Sequence, residues 1–239
     1  MISAHTLNSS PIIIPARLAS SRFPGKPLAL INGEPMLLHT YRAACKVSSN
    51  VMVGTCDEEI GQLCIDHDIQ WYPTPRSCPN GTKRAAIVAQ RHIARNSCFS
   101  GCPVVVWQVD EPFVNPDDVK ALFSLLREYC TDPRNPNIAT LVAPAFLKDM
   151  LDVDVVKAVV SNTICHWFSR AAIGRNAHVG IYGFRDYSIM EEATNLVPSW
   201  LSKMESLEQL TWIEAGMSIV GLEIKEAPKS INSPEDLIQ

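Results

Sequence analysis

Three isoleucines, Ile12 to Ile14, run without a polar break into Pro15-Ala16-Arg17-Leu18-Ala19-Ser20-Ser21-Arg22-Phe23-Pro24-Gly25-Lys26-Pro27. An apolar β-branched run of this kind suits a strand covered on both faces, which is the condition of a parallel sheet packed between helices. The loop that follows carries Arg17, Arg22 and Lys26 and no acid, so the backbone leaves the core at a place suited to negative charge. Gly25 allows close approach of the backbone, Pro24 and Pro27 stiffen the turn, and the three cations can converge on a polyphosphate. The competing reading is a solvated basic loop. Neither G-x-x-x-x-G-K-[ST] nor G-x-G-x-x-G is present, so the better known phosphate loops are not the explanation.

The rest of the chain alternates apolar runs with amphipathic stretches. Ser10 to Ile14 reads as the first strand, and Met36 to Lys46 as a helix with Leu37, Leu38, Tyr41 and Ala44 on one face. Val51 to Thr55 and Ile69 to Tyr72 are strands flanking a helix that opens with Asp57-Glu58-Glu59. Further strands are expected at Pro103 to Trp107, Ala139 to Ala143 and Asp154 to Val160, with a helix over Pro116 to Tyr129. The alternation predicts an α/β fold, a doubly wound and mostly parallel sheet, in a single domain with no linker across 1–239.

A net charge of −4 argues against nucleic acid or an anionic membrane as the main partner and favours a small anionic ligand. Eight cysteines are scattered through a chain too large to need staples, and they read as reduced core thiols. Cys98 and Cys102 come nearest to metal-ligand spacing, but no second pair follows, so no structural zinc is expected. Residues 1–10 lack a basic start and an apolar core, and no apolar run reaches membrane length, so a cytoplasmic protein is expected.

Two further places carry chemistry. Asn80-Gly81-Thr82-Lys83-Arg84 opens a helix through Ile93; Asn80 or Thr82 would cap it, leaving free N–H groups and Arg84 facing a ligand at the sheet edge. Gln108-Val109-Asp110-Glu111-Pro112 follows the most apolar strand, where ligands of open α/β sheets collect. Asp110 is the candidate Mg²⁺ ligand and Glu111, pointing to the other side, a structural residue. A plain Asx-type turn is the alternative there.

Taken together, the basic loop resembles the signature I-I-P-A-R-x-x-S-x-R-x-P-G-K-P-L of the sugar nucleotidyltransferases, within them the 3-deoxy-manno-octulosonate (Kdo) cytidylyltransferases. Asn80 to Arg84 is similar to that family's S-G-T-x-R, and Gln108 to Pro112 to its Q-G-D-E-P. Lys157 stands where the family has N-x-V-K-V-V, and Phe168-Ser169-Arg170-Ala171 matches its F-S-R-A. His178-Val-Gly-Ile-Tyr182-Gly-Phe-Arg185 is similar to H-x-G-I-Y-x-Y-R, Glu208-Gln209 to the L-E-Q-L helix, and Ser230 to Leu237 to G-V-D-T-P-E-D-L.

The resemblance implies a Mg²⁺-dependent enzyme of nucleotide-sugar and lipopolysaccharide biosynthesis, joining CMP from CTP to a Kdo-type sugar acid with release of pyrophosphate. It places Arg17, Arg22, Lys26 and Asp110 in catalysis, and Ala16, Arg17, Gly81, Arg84 and Gln108 on the nucleotide. Arg170, His178, Tyr182, Glu208 and Gln209 fall on the sugar, and Asp110 with Asn232 on the metal. It also implies a homodimer formed through a substrate and dimerisation lobe at about 140–200. Three departures stand out: Val109 replaces Gly and is expected to narrow the ligand space, only Gly174 to Ala177 separates Ile173 from His178, and Asn232 replaces Asp. They leave two alternatives open: CTP- or UTP-dependent activation of a smaller sugar or pentose phosphate for a modified polymer, and a nucleotide-binding homologue without turnover.

Overall fold

The computed structural model describes residues 10–20, 22–95, 101–129 and 136–237. Eleven strands occur among them: β1 (Ile12–Pro15), β2 (Leu30–Ile31), β3 (Glu34–Pro35), β4 (Val51–Thr55), β5 (Trp71–Pro73), β6 (Val104–Trp107), β7 (Ile138–Pro144), β8 (Lys157–Ser161), β9 (Ile164–Ser169), β10 (Asn176–Phe184) and β11 (Ile219–Glu223). The helices are α1 (Met36–Cys45), α2 (Glu58–Asp66), α3 (Gly81–Arg95), α4 (Pro116–Tyr129), α5 (Leu147–Leu151), α6 (Tyr187–Asn195), α7 (Trp200–Glu205) and α8 (Glu208–Glu214).

The isoleucine run lies inside a nine-stranded sheet of order β5-β4-β1-β6-β10-β7-β11-β9-β8. Because side chains alternate along a strand, β1 feeds two cores at once. Ile12 and Ile14 pack with Val51, Val53, Val105, Trp107 and the buried sides of α1, α2 and α4. Ile13 packs with Met52, Val104, Val106 and residues of α3, α6 and α8 on the opposite face. This double coverage is why no polar residue interrupts the run, and Ile13→Ala would cost about 2–5 kcal/mol. Gly54 lets α3 sit close on β4, since a Cβ there would lie 2.7 Å from Val88 Cγ2.

The sheet is mixed. Parallel pairing holds in β5-β4-β1-β6, where helical crossovers connect the strands, and between β7 and β11, while β8, β9 and β10 pair antiparallel with their neighbours. Short links explain the difference, because antiparallel strands need no crossover. β8 and β9 are joined by Asn162-Thr163 alone, both at positive φ (49° and 66°), the geometry of a two-residue hairpin turn. The strand expected from Asp154 begins only at Lys157. Buried Lys157 instead donates from Nζ to the carbonyls of Asp152 (2.7 Å) and Val155 (2.8 Å), holding the preceding residues as a loop.

β10 inserts between β6 and β7 and carries a bulge between Val179 and Tyr182. Val109 packs in the core beneath α1, and its carbonyl accepts the Thr40 hydroxyl at 2.8 Å, so it does not narrow the ligand space as expected. The thiols of Cys64, Cys78 and Cys165 are free and buried, but Cys45 is exposed at the end of α1. Cys98 and Cys130 lie outside the described residues. No helix among the described residues is long and apolar enough to cross a membrane.

Candidate active site

A cleft of about 1160 Å³ opens beyond the C-terminal ends of β1 and β6, walled by β10 and α8 and rimmed by the loop that follows β7. The basic loop forms one edge. It is anchored by Leu18 N–H, which donates to buried Asp57 Oδ2 at 2.7 Å, and by Gly25 N–H on Leu18 O at 2.9 Å. Gly25 takes φ 75°, a left-handed conformation that glycine adopts without strain. Arg17 and Arg22 are exposed and line the cleft. Arg22 is ion-paired with Asp154 on the opposite rim; an exposed pair of this kind is worth at most about 1 kcal/mol, so a phosphate can exchange for it.

Lys26 differs from the two arginines. Its Nζ is 2.5 Å from Asp110 Oδ2 and 3.3 Å from the Ile231 carbonyl, and its side chain is almost fully covered. The three cations therefore do not share one environment: two face the cleft, and one sits beneath the acid at the end of β6.

At the start of α3, Asn80 Oδ1 accepts Lys83 N–H at 2.8 Å and is the cap. Gly81 lies against Gln108: a Cβ there would sit 2.7 Å from Oε1, so a larger residue would push the Gln108 amide out of its place. Buried Thr82 caps nothing and donates to Glu208 Oε1 at 2.5 Å. Ala16 is buried and does not line the cleft. Nor does Arg84, against the expectation that it faces the ligand: its side chain is drawn under the sheet surface, where it bonds Thr74 Oγ1, and Nη2 is buried with no partner among the described residues.

The turn after β6 is fixed from several directions. Trp107 Nε1 donates to Glu111 O at 2.9 Å, and Glu111 N–H to Gln108 O at 3.1 Å. Gln108, Asp110 and Glu111 all line the cleft. Glu111 Oε1 accepts Gly180 N–H (3.0 Å) and Ser230 Oγ–H (2.8 Å), whereas Oε2 is buried without a partner among the described residues. Burial and the adjacent Asp110 charge push its pKa up to about 8 against those two donors.

β10 supplies the sugar-side residues of the sequence reading. The Thr140 hydroxyl donates to Ile181 O (2.7 Å) and meets His178 Nε2 at 2.9 Å. With that proton committed, Nε2–H is the donor to Thr140, and Nδ1 is left as an acceptor. Burial pushes His178 down to about 3, so the ring is neutral. The Tyr182 ring lies 5.2 Å from both His178 and Trp212, and its hydroxyl is held well above the usual phenol range by burial. Glu208 is raised to about 7 by burial, opposed by the Thr82 hydrogen bond. Gln209 is buried at the cleft wall. Arg170 also lines the cleft, with Nη1 on Val153 O at 3.0 Å.

The segment bearing Asn232 returns to the turn after β6, with Ile231 N–H donating to Asp110 O at 2.9 Å. Asn232 lines the cleft and donates its N–H to Asp236 Oδ2 at 2.8 Å. Asp110 spends Oδ2 on Lys26, and its partly exposed side chain faces the cleft. One carboxylate and one amide oxygen suit Mg²⁺, which binds through one or two protein oxygens plus substrate phosphates, although no cluster of three or more acidic, His or Cys ligands exists among the described residues. Sequence reading missed Thr140 and Asp154, neither of which carries a local signal, and the Thr82–Glu208 and Glu111–Ser230 links, although Thr82 and Ser230 each stand within a family motif.

A family model for cytidylyltransferases matches residues 11–219. A 3-deoxy-manno-octulosonate cytidylyltransferase of Pseudoalteromonas atlantica is 33% identical, over 95% of this chain and 94% of its own. One of the same name from Chlamydia trachomatis serovar L2 is 35% identical, over 94% and 90%. Among solved structures, a CMP:2-keto-3-deoxy-manno-octonic acid synthetase complexed with CTP superposes with a TM-score of 0.81 at 30% identity, covering 96% of this chain and 95% of that one. A putative glucose-1-phosphate thymidylyltransferase from Bacillus anthracis, at 13% identity and a TM-score of 0.65, shares the fold. A sugar-nucleotidyltransferase sheet, a cleft uniting the basic loop with Asp110 and β10, and relatives matched over nearly their whole length agree, and the chain belongs to the 3-deoxy-manno-octulosonate cytidylyltransferase family.

Proposed function

We propose that this protein transfers the cytidylyl group of CTP to a sugar acid of the Kdo type and releases pyrophosphate. The observation that carries the reading is one cleft lined by Arg17, Arg22, Gly81 and Asp110 together with His178, Tyr182 and Glu208. A hydroxyl of the sugar attacks the α-phosphorus, the bond to the β-phosphate oxygen breaks, and the hydroxyl proton leaves to solvent. Positioning and charge stabilisation supply most of the acceleration in such transfers.

Arg17 and Arg22 hold the triphosphate and the departing pyrophosphate, with Arg22 exchanging Asp154 for phosphate. Lys26 orients Asp110. Gln108 and Gly81 face the nucleotide. His178 accepts a sugar hydroxyl at Nδ1, and Tyr182, Glu208, Gln209 and Arg170 complete the sugar wall. Asp110 and the amide oxygen of Asn232 would hold Mg²⁺, whose chemistry is to neutralise charge on the phosphates. Exposed Leu147 and Leu151 of α5, with Trp200 and Met204 of α7, support a homodimer formed through the 140–200 region.

Pyrophosphate release with Mg²⁺, crossing CTP and UTP against Kdo, 8-amino-Kdo, pentoses and pentose phosphates, tests the reading. Turnover is expected with CTP and a Kdo-type acid, and turnover confined to pentoses overturns it. A second reading, nucleotide binding without turnover, rests on Asn232 in place of a charged ligand. Asn232→Asp separates the two: the active-enzyme reading predicts a several-fold fall in the Mg²⁺ concentration for half-maximal rate with a wild type already active, and a silent wild type rescued by the change favours the second.

A further inference from the structure

One carboxylate oxygen joins three separate segments of the cleft. Glu111 Oε1 takes the N–H of Gly180 in the β10 bulge and the hydroxyl of Ser230, two residues before Asn232. The Gly180 N–H is the kind of donor that a bulge strips from its ladder, and Glu111 restores a partner. Beside it, the main chain of Asp110 accepts Ile231 N–H at 2.9 Å, and Lys26 Nζ bridges Asp110 Oδ2 and Ile231 O. Asp110 and Asn232 are thus fixed relative to each other, and to the wall bearing His178 and Tyr182, by contacts that converge on the Glu111 turn.

The placement is costly. Glu111 is 5% exposed and leaves Oε2 buried without a partner among the described residues. A buried acceptor without a partner is destabilising, and an apolar side chain of similar length would avoid that cost. Nor is there slack around it, since a Cβ on Gly180 would lie 3.1 Å from Oε1.

We propose that Glu111 is a positioning residue of the transfer reaction, clasping the Ser230–Asn232 segment and the Gly180 bulge so that Asn232 and the sugar wall stand at fixed distance from Asp110. This rests on the cytidylyltransferase reading of the cleft. Arg17 and Arg22, which hold the triphosphate, make no hydrogen bond to Glu111 or Ser230 among the described residues, so loss of the clasp acts on kcat and leaves the KM for CTP in place.

Three variants in the full-length protein test it: Glu111→Met, which removes both accepted bonds; Ser230→Ala, which removes one with little risk to folding; and Glu111→Gln, whose amide oxygen keeps both. Glu111→Met should lower kcat by about a hundredfold and Ser230→Ala by about tenfold, the scale of a small misplacement of reacting groups, with KM for CTP within about threefold. Amide exchange at Ile231 should quicken in both, while that of Val53 in β4 stays unchanged, and Glu111→Gln should restore both readouts. Ser230→Ala with unaltered exchange at Ile231 and unaltered kcat overturns the clasp, as does Glu111→Gln no better than Glu111→Met. Amide exchange reads the clasp without turnover, so an inactive wild type would overturn the functional reading while the exchange result still judges the clasp.

Discussion

Lys26 Nζ stands 2.5 Å from Asp110 Oδ2, joining the basic loop to the end of β6 across 84 positions of chain. The lysine side chain is 10% exposed and the aspartate 27%, so the pair is partly withdrawn from water and its geometry matters more than that of a surface bridge. Lys26→Met should leave Asp110 without its partner and release Ile231 O, lowering kcat/KM by about a hundredfold, with Lys26→Arg a poor substitute because its fork cannot occupy the same point. Steady-state kinetics check this, and a loss under about threefold contradicts it.

The tautomer assigned to His178 makes a second prediction. With Nε2–H on Thr140 and its pKa pushed down to about 3, the ring should show a single neutral form by nitrogen NMR from pH 5 to 8. His178→Phe should raise the KM for the sugar by about tenfold, one hydrogen bond's worth, and leave that for CTP unchanged. A ring that titrates near 6.5, or a shift confined to CTP, contradicts the assignment.

Glu208 links stability to pH. Its pKa of about 7 lies above the ordinary 4.5, so folding favours the protonated form. The stability held through this proton is whole below about pH 4.5 and falls as pH rises toward 7, by ~2 kcal/mol after allowance for the solvent that reaches this partly exposed residue. Glu208→Gln keeps a neutral partner for Thr82 at every pH and should remove that decline. Denaturant midpoints of the two proteins at pH 5 and pH 8 measure it, and parallel losses in both contradict the assignment.

Contiguous stretches were the legible part of this molecule. Ile12 to Pro27 announces a covered strand running into a basic loop because strand, turn residues and cations are neighbours in sequence, and the cleft does open there. His178 and Tyr182, named from the family motif rather than from local chemistry, line the same cleft. What could not be read are pairings across long chain separations, such as Thr82 with Glu208 at 126 positions or Glu111 with Ser230 at 119. Arg84 misled because a cation at a helix start looks the same in sequence whether it faces a ligand or turns under the sheet to meet Thr74. The sheet reads as mostly parallel from its first half, but the insertion of β10 and the hairpin at Asn162-Thr163 set two strands, β10 and β9, against the direction of the other seven. The place of Val109 in a motif points to the ligand space, and only the packing beneath α1 reveals where its side chain goes.

Phosphorus NMR of CTP, Mg²⁺ and Kdo incubated with the wild-type protein tests the central claim most directly. Loss of the three CTP resonances, with equal gain of pyrophosphate and of one phosphodiester signal for the CMP-sugar, is the predicted result. CTP left intact at protein and substrate concentrations where calorimetry shows the nucleotide bound would contradict it.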